Sequence, residues 1–159
     1  MEKLVTIRIN RNSSDNMFIK DSIKPAHKND SGIDLYSDIS TNILPGHIEL
    51  ISTGVFIDYI EPGYEIQIRT KSGNAIKRGL IVLNSPGTVD ANYRGELKVI
   101  VYNAGKTPII ITQSTKVAQF VLCPVIIMDN NIIDVLISSK CTTVENNNTR
   151  NDNGFGSTD

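Results

Sequence analysis

Three stretches of this 159-residue chain combine residue types that can do chemistry. Arg69-Thr70-Lys71-Ser72-Gly73 places two cations, a hydroxyl and a permissive backbone at the start of a short helical pattern. Cations and unpaired backbone N–H groups that converge on one place make an anion site, although the same string also makes an ordinary solvated turn. Gly87-Thr88-Val89-Asp90-Ala91-Asn92-Tyr93-Arg94-Gly95 lies between two strand patterns. Either Asp90 and Tyr93 project from this hairpin into one pocket, or Asp90 closes an Asx-type turn in a long loop. Near the C-terminus, Gly154-Phe155-Gly156-Ser157-Thr158 sets an aromatic ring between two glycines. The glycines permit close approach to a ligand and the ring offers a stacking face, in a segment whose composition otherwise reads as a disordered tail.

Other chemistries lack their residues. The two histidines, His27 and His47, have no Cys or carboxylate at metal-ligand spacing and read as surface residues. No G-x-S-x-G elbow and no G-x-x-x-x-G-K-[ST] loop occurs, so a covalent Ser or Cys mechanism has little support and a P-loop NTPase none.

The elements that must position these residues are strands. Isoleucine and valine number 24 and 11, and β-branched side chains suit a pleated surface. Alternation puts Val5, Ile7 and Ile9 on one face of a first strand and Ile66 and Ile68 on one face of another. From Glu96 to Tyr102 it points Leu97, Val99 and Val101 together. Leu80–Leu83, Pro108–Thr112, Lys116–Met128 and Ile132–Ile137 complete the series. Pro45-Gly46, Pro62-Gly63, Pro86-Gly87 and Asn103-Ala104-Gly105 mark the turns between them. One short helix is predicted over Asn74–Arg78, capped by Ser72 and stopped by Gly79. The pattern is that of an all-β single domain, a sandwich or barrel.

The formal charge of −1 and pI near 6.1 supply no field for nucleic acid or an anionic membrane. No run approaches the roughly 18 apolar residues of a membrane span, and the N-terminus lacks the apolar block of a signal peptide. A soluble, intracellular protein is expected, with Cys123 and Cys141 as free thiols. Sixteen asparagines fall mostly in turns and tails.

Five segments, in order and at matching spacing, resemble the motifs of the trimeric dUTPase family. Ser31-Gly32-Ile33-Asp34-Leu35-Tyr36-Ser37 resembles the first and Arg69–Ala75 the second. Asn84-Ser85-Pro86-Gly87 through Asp90, Tyr93, Arg94 and Gly95 to Lys98 resembles the third. Lys116-Val117-Ala118-Gln119-Phe120 resembles the fourth, and Arg150 with Gly154-Phe155-Gly156-Ser157-Thr158 the fifth. The resemblance implies a jelly-roll-like β-barrel over residues 1–137 and a C-terminal arm over 138–159 that closes on a neighbouring subunit's site. It implies hydrolysis of dUTP to dUMP and pyrophosphate, which keeps uracil out of DNA and supplies dUMP for thymidylate synthesis. Asp90 is the implied general base, holding a water for in-line attack on the α-phosphorus. Mg²⁺ is the implied cofactor, carried mainly by phosphate oxygens and held by Asp34 through a water. Lys71, Ser72, Gly73, Gln119 and Arg150 are implied phosphate contacts.

Uracil selection is assigned by the same resemblance to the backbone near Gly87, Thr88, Val89 and Lys98, with Asn84. Cytosine would set its amino group against an N–H, and thymine's methyl would meet the hairpin. Tyr93 is the implied deoxyribose platform, and Phe155 stacks on uracil as the arm, with Gly156, Ser157 and Thr158, closes. Family enzymes are homotrimers whose sites draw on all three chains: one gives the third motif, a neighbour the first, second and fourth, and the remaining one the fifth. Lys71 and Lys116 stand where the family usually has arginine, and Asn74 replaces a usual apolar residue. Asn151, Asn153 and Asp159 replace frequent tail glycines. Two alternatives share the fold: a dCTP deaminase, for which Glu96 is the nearby candidate acid, and a catalytically inactive regulatory protein.

Overall fold

A computed structural model describes residues 7–11 and 25–126, with side-chain burial from residue 25 onward. The chain divides into two units, Met1–Val125 and Ile126–Asp159, and the architecture below belongs to the first. The strand predicted at Ile132–Ile137, the arm residues Arg150 and Phe155 to Thr158, Cys141 and the boundary after Ile137 lie outside the described residues.

Eleven strands and one helix are described, in the order β1 Ile7–Arg11, β2 Gly32–Tyr36, β3 Thr41–Ile43, β4 Ile48–Ile51, β5 Val55–Ile60 and β6 Tyr64–Arg69. Then come α1 Ser72–Arg78, β7 Leu80–Val82, β8 Gly87–Val89, β9 Val99–Asn103, β10 Ile109–Ile111 and β11 Lys116–Pro124. All pairings are antiparallel: β1 with β5, β3 with β10, a four-stranded sheet β2-β11-β6-β8 and a three-stranded sheet β4-β9-β7. This is the all-β fold the alternation predicts. Period-2 apolar residues bury one face of each sheet, so that Ile66, Ile68, Leu97, Val99 and Val101 enter one core with Leu35, Ile51, Ile57 and Phe120. Each such side chain contributes about 1.5–3 kcal/mol by leaving water.

Asn103 is fully buried and fully used. Its Nδ2 donates to the carbonyls of Ile43 and Thr107, both at 2.9 Å, and its Oδ1 accepts from Gly105 N–H at 2.8 Å. The turn signal at Asn103-Ala104-Gly105 is therefore a side-chain splice joining β3, β9 and the approach to β10.

Three expectations change. Ser72 does not cap α1; Lys71 is the N-cap, without a side-chain bond, because its backbone carbonyl takes the first amides, Asn74 and Ala75, at 3.0 Å. Gly79 does end the helix in the left-handed region, at φ 68°. The strand predicted to run through Met128 ends at Pro124, which brings no N–H to the ladder; Val125 N–H then donates to Gly63 at 2.9 Å. Finally, Gly87–Gly95 is not a hairpin loop, since β8 pairs with β6 while β9 pairs with β4 and β7. The connection passes from one sheet to another and forms the wall of a cleft.

Candidate active site

That cleft is a cavity of about 210 Å³. Asn84, Gly87, Thr88, Asp90, Tyr93 and Lys98 supply its polar lining, and Leu50, Ile68, Val89, Leu97, Val99 and Ile100 its apolar one. Asp90 and Tyr93, for which the sequence leaves open one pocket or a long loop, both line it. The Asp90 turn is closed by the backbone, with Tyr93 N–H donating to the Asp90 carbonyl at 3.0 Å. The carboxylate makes no hydrogen bond or ion pair among the described residues, so the Asx-turn alternative does not hold. Arg94 Nη1 donates to the carbonyls of Ala91 and Tyr93, both at 2.8 Å, and stiffens the loop.

Two glycines leave room for side chains that wall the cavity. A Cβ on Gly87 would stand 3.1 Å from Asn84 Nδ2, and one on Gly95 would collide with the Tyr93 phenol. With neither Cβ present, the Asn84 amide lies over Gly87, and the Tyr93 ring lies over Gly95 with its Oη donating to the Glu96 carbonyl at 3.0 Å.

Glu96 also borders the cavity, but its carboxylate is committed. Oε1 accepts from Thr53 N–H at 2.9 Å and Gly54 N–H at 2.8 Å, and Oε2 lies 3.7 Å from Lys98 Nζ. Thr53 Oγ1 donates to the Leu97 carbonyl at 2.6 Å. The β4–β5 turn is thereby tied to the cavity floor. Sequence reasoning missed this; a lone acid after a glycine carries no signal of which amides it will meet.

A second group of predicted residues gathers on the sheet β2-β11-β6. Asp34 on β2 is ion-paired with both Lys71 and Lys116, the latter at 2.8 Å. Burial pushes the Asp34 carboxyl upward, but hydrogen bonds and charge from Lys116 and Lys71 together hold it below the ordinary range. Its bond and charge raise Lys116 in turn. Gln119 faces Asp34 on one side and Arg69 on the other in the ladders, and its Nε2 donates to the Thr70 carbonyl at 3.2 Å. Gly32 leaves the space this needs, since a Cβ there would be 2.5 Å from Gln119 Oε1. Ser72 and Gly73 are exposed at the first two helical positions, where backbone N–H groups have no carbonyl a turn earlier.

Asp34, Lys71, Ser72, Gly73 and Gln119 do not line the cavity that holds Asp90. The predicted residues thus form two clusters, one lining a cavity beside a free carboxylate, the other rich in cations and amides. Among the described residues no three His, Cys, Asp or Glu side chains gather to hold a metal ion.

A family model for dUTPase matches residues 20–159. The chain belongs to the dUTPase family. Relatives named deoxyuridine 5'-triphosphate nucleotidohydrolase share 42% identity over 85% of this chain and 86% of the protein from Gloeothece citriformis, and 43% over 87% of this chain and 91% of the protein from Clostridioides difficile. In fold, this dUTPase-family chain is similar to the Streptococcus mutans dUTPase, with TM-score 0.65, 24% identity, and coverage of 76% of this chain and 98% of that one. It is also similar to a mutant dUTPase from phage phi11 of S. aureus, described with a structural Mg(II) ion, with TM-score 0.68, 22% identity, and coverage of 78% and 94%.

Proposed function

We propose that this dUTPase-family chain is a dUTP diphosphatase, hydrolysing dUTP to dUMP and pyrophosphate. The observation that carries the reading is the uncommitted Asp90 carboxylate in a cavity walled by a strand backbone at Gly87–Val89, the Asn84 amide and the Tyr93 ring. Asp90 positions a water and takes its proton while the water oxygen bonds to the α-phosphorus and the α–β bridging P–O bond breaks. Uracil is read at Gly87, Thr88, Val89, Lys98 and Asn84, and the deoxyribose rests on Tyr93. The product dUMP is available for thymidylate synthesis, and the fall in dUTP keeps uracil out of DNA.

The cationic cluster serves the phosphates through Lys71, Ser72, Gly73 and Gln119. That none of these residues lines the Asp90 cavity supports a site assembled from neighbouring subunits. So does the outward face of β4-β9-β7, where Ile48, Leu50, Ile81, Leu83, Ile100 and Tyr102 present no charge and Leu50 and Ile100 also line the cavity. Exposed apolar area of this kind favours association, and a homotrimer with shared sites accounts for both features. Mg²⁺ would be carried mainly by the substrate's phosphates, and Asp34, whose two oxygens are taken by Lys71 and Lys116, would hold the hydrated ion through a water once Lys71 turns to phosphate. Bound there, the ion would neutralise phosphate charge. Arg150, Phe155, Gly156, Ser157 and Thr158 complete the site as an arm over residues 138–159, beyond a barrel of residues 1–137. No helix among the described residues is long and apolar enough to cross a membrane.

The test is pyrophosphate release from dUTP with Mg²⁺, wild type against Asp90→Asn. Loss of at least about 10²-fold in kcat with nucleotide binding retained is expected; equal rates would refute the role of Asp90. The carboxylate commitments of Glu96 weigh against a dCTP deaminase, and ammonia released from dCTP would overturn the present reading.

A further inference from the structure

The side chain of Asn74 is spent on the β11 strand. Its Nδ2 donates to the carbonyl of Lys116 at 2.9 Å and to that of Val117 at 3.3 Å. These carbonyls sit at an irregularity: the β11–β2 register slips between Lys116 and Ala118, leaving Val117 as the extra residue of a bulge. A bulge disturbs the ladder locally, and here a side chain from α1 bonds the two carbonyls beside it. Asn74 is the third residue of α1, directly after Ser72 and Gly73. The strand it grips carries Lys116 and, two residues past the bulge, Gln119.

We infer that Asn74 is a positioning residue for triphosphate binding: its amide pins the Ser72–Gly73 turn to the β11 bulge and so sets the spacing between that turn, Lys116 and Gln119. Two other links join the same parts. Lys71 meets Lys116 through Asp34, and Gln119 Nε2 holds the Thr70 carbonyl. Both of those links use side chains that the phosphates would recruit, whereas the Asn74 bond uses none. The spacing therefore persists when Lys71 and Gln119 turn to substrate. This inference rests on the proposed dUTPase activity.

The consequence is selective for the outer phosphates. Substrate placement within the Asp90 cavity does not pass through Asn74, so dUMP, with one phosphate, should be indifferent to it. The experiment measures the Kd of the non-hydrolysable α,β-imido analogue of dUTP, the inhibition constant of dUMP, and steady-state kinetics, in wild type, Asn74→Ala and Asn74→Gln. Asn74→Ala removes the donor and adds no charge beside the phosphates; Asn74→Gln keeps the donor on a longer arm. Expected for Asn74→Ala is a Kd for the analogue weaker by about tenfold, KM for dUTP raised to match, and dUMP inhibition and kcat within about twofold of wild type. Asn74→Gln should recover part of the lost affinity. Unchanged analogue binding, or equal losses for analogue and dUMP, would overturn the inference. Should Asn74→Ala not fold, Asn74→Leu takes its place, and failure of both to fold would mark the residue as purely structural and overturn the inference too. A wild-type protein that does not hydrolyse dUTP would instead refute the function proposed above, so the two failures are separable.

Discussion

Asp34 shows how one residue serves two neighbours. With its carboxyl held below the ordinary value of 3.8, the folded protein binds the proton less readily than the unfolded chain does. The ion pairs therefore stabilise the fold fully above that ordinary value, and the contribution is lost as pH falls through the lowered one. Lys116 is raised above its ordinary 10.5, so its share persists through neutral pH and is lost only as pH climbs beyond that value. In metal-free protein, Asp34→Asn leaves Lys71 and Lys116 facing each other without a counter-charge. We expect a lower Tm at pH 7, and a gap between variant and wild type that narrows below about pH 4, read by thermal melts across pH. A gap of the same size at pH 3 would show that the ion pairs contribute nothing to stability.

At the scale of elements, the Glu96 carboxylate joins the β4–β5 turn to the connection between β8 and β9. Glu96→Ala strands the N–H groups of Thr53 and Gly54, both buried, and should cost about 1–3 kcal/mol in urea unfolding at fixed protein concentration. Glu96→Gln keeps an acceptor for both amides and should recover most of that loss while leaving dUTP turnover near wild type. A dead but stable Glu96→Gln would mean that the charge itself acts in the reaction. The strands at this scale were legible in the sequence because alternation reports which side chains face the core, as Leu97, Val99 and Val101 do. Partners were not legible. Alternation says nothing about which strand lies alongside, so Gly87–Gly95 read as a hairpin although its flanking strands enter different sheets. The helix cap was misplaced for a related reason: Ser72 has the favoured side chain, but the first amides went to the Lys71 carbonyl. The candidate site was legible where residue chemistry is unusual for a turn, at Asp90 and Tyr93. It was illegible where the key partners are backbone groups, as for Glu96 and Asn74.

The residues of the cationic cluster do not line the cavity that holds Asp90, which makes a prediction about mixtures. Asp90→Asn damages the cavity and Asp34→Asn the cationic cluster; if neighbouring chains share sites, mixed trimers rebuild some intact ones. Refolding the two variants together should restore a substantial fraction of wild-type pyrophosphate release, where each alone is deficient. Activity no greater than the sum of the two alone would place the whole site within one subunit. Removal of residues 150–159 should leave assembly unchanged by light scattering and reduce turnover severely; normal turnover would reduce the arm to a solvating tail.

The glycine under the Tyr93 ring also limits how this chain can drift. Every amino-acid substitution at Gly95 adds a Cβ, and a Cβ there displaces the phenol from its place against the Glu96 carbonyl. The reverse order is open: once position 93 has lost its ring, Gly95 is no longer constrained by this contact. Substitutions at these two positions are thus ordered in time, and a lineage that has filled Gly95 first will have done so by giving up the cavity wall.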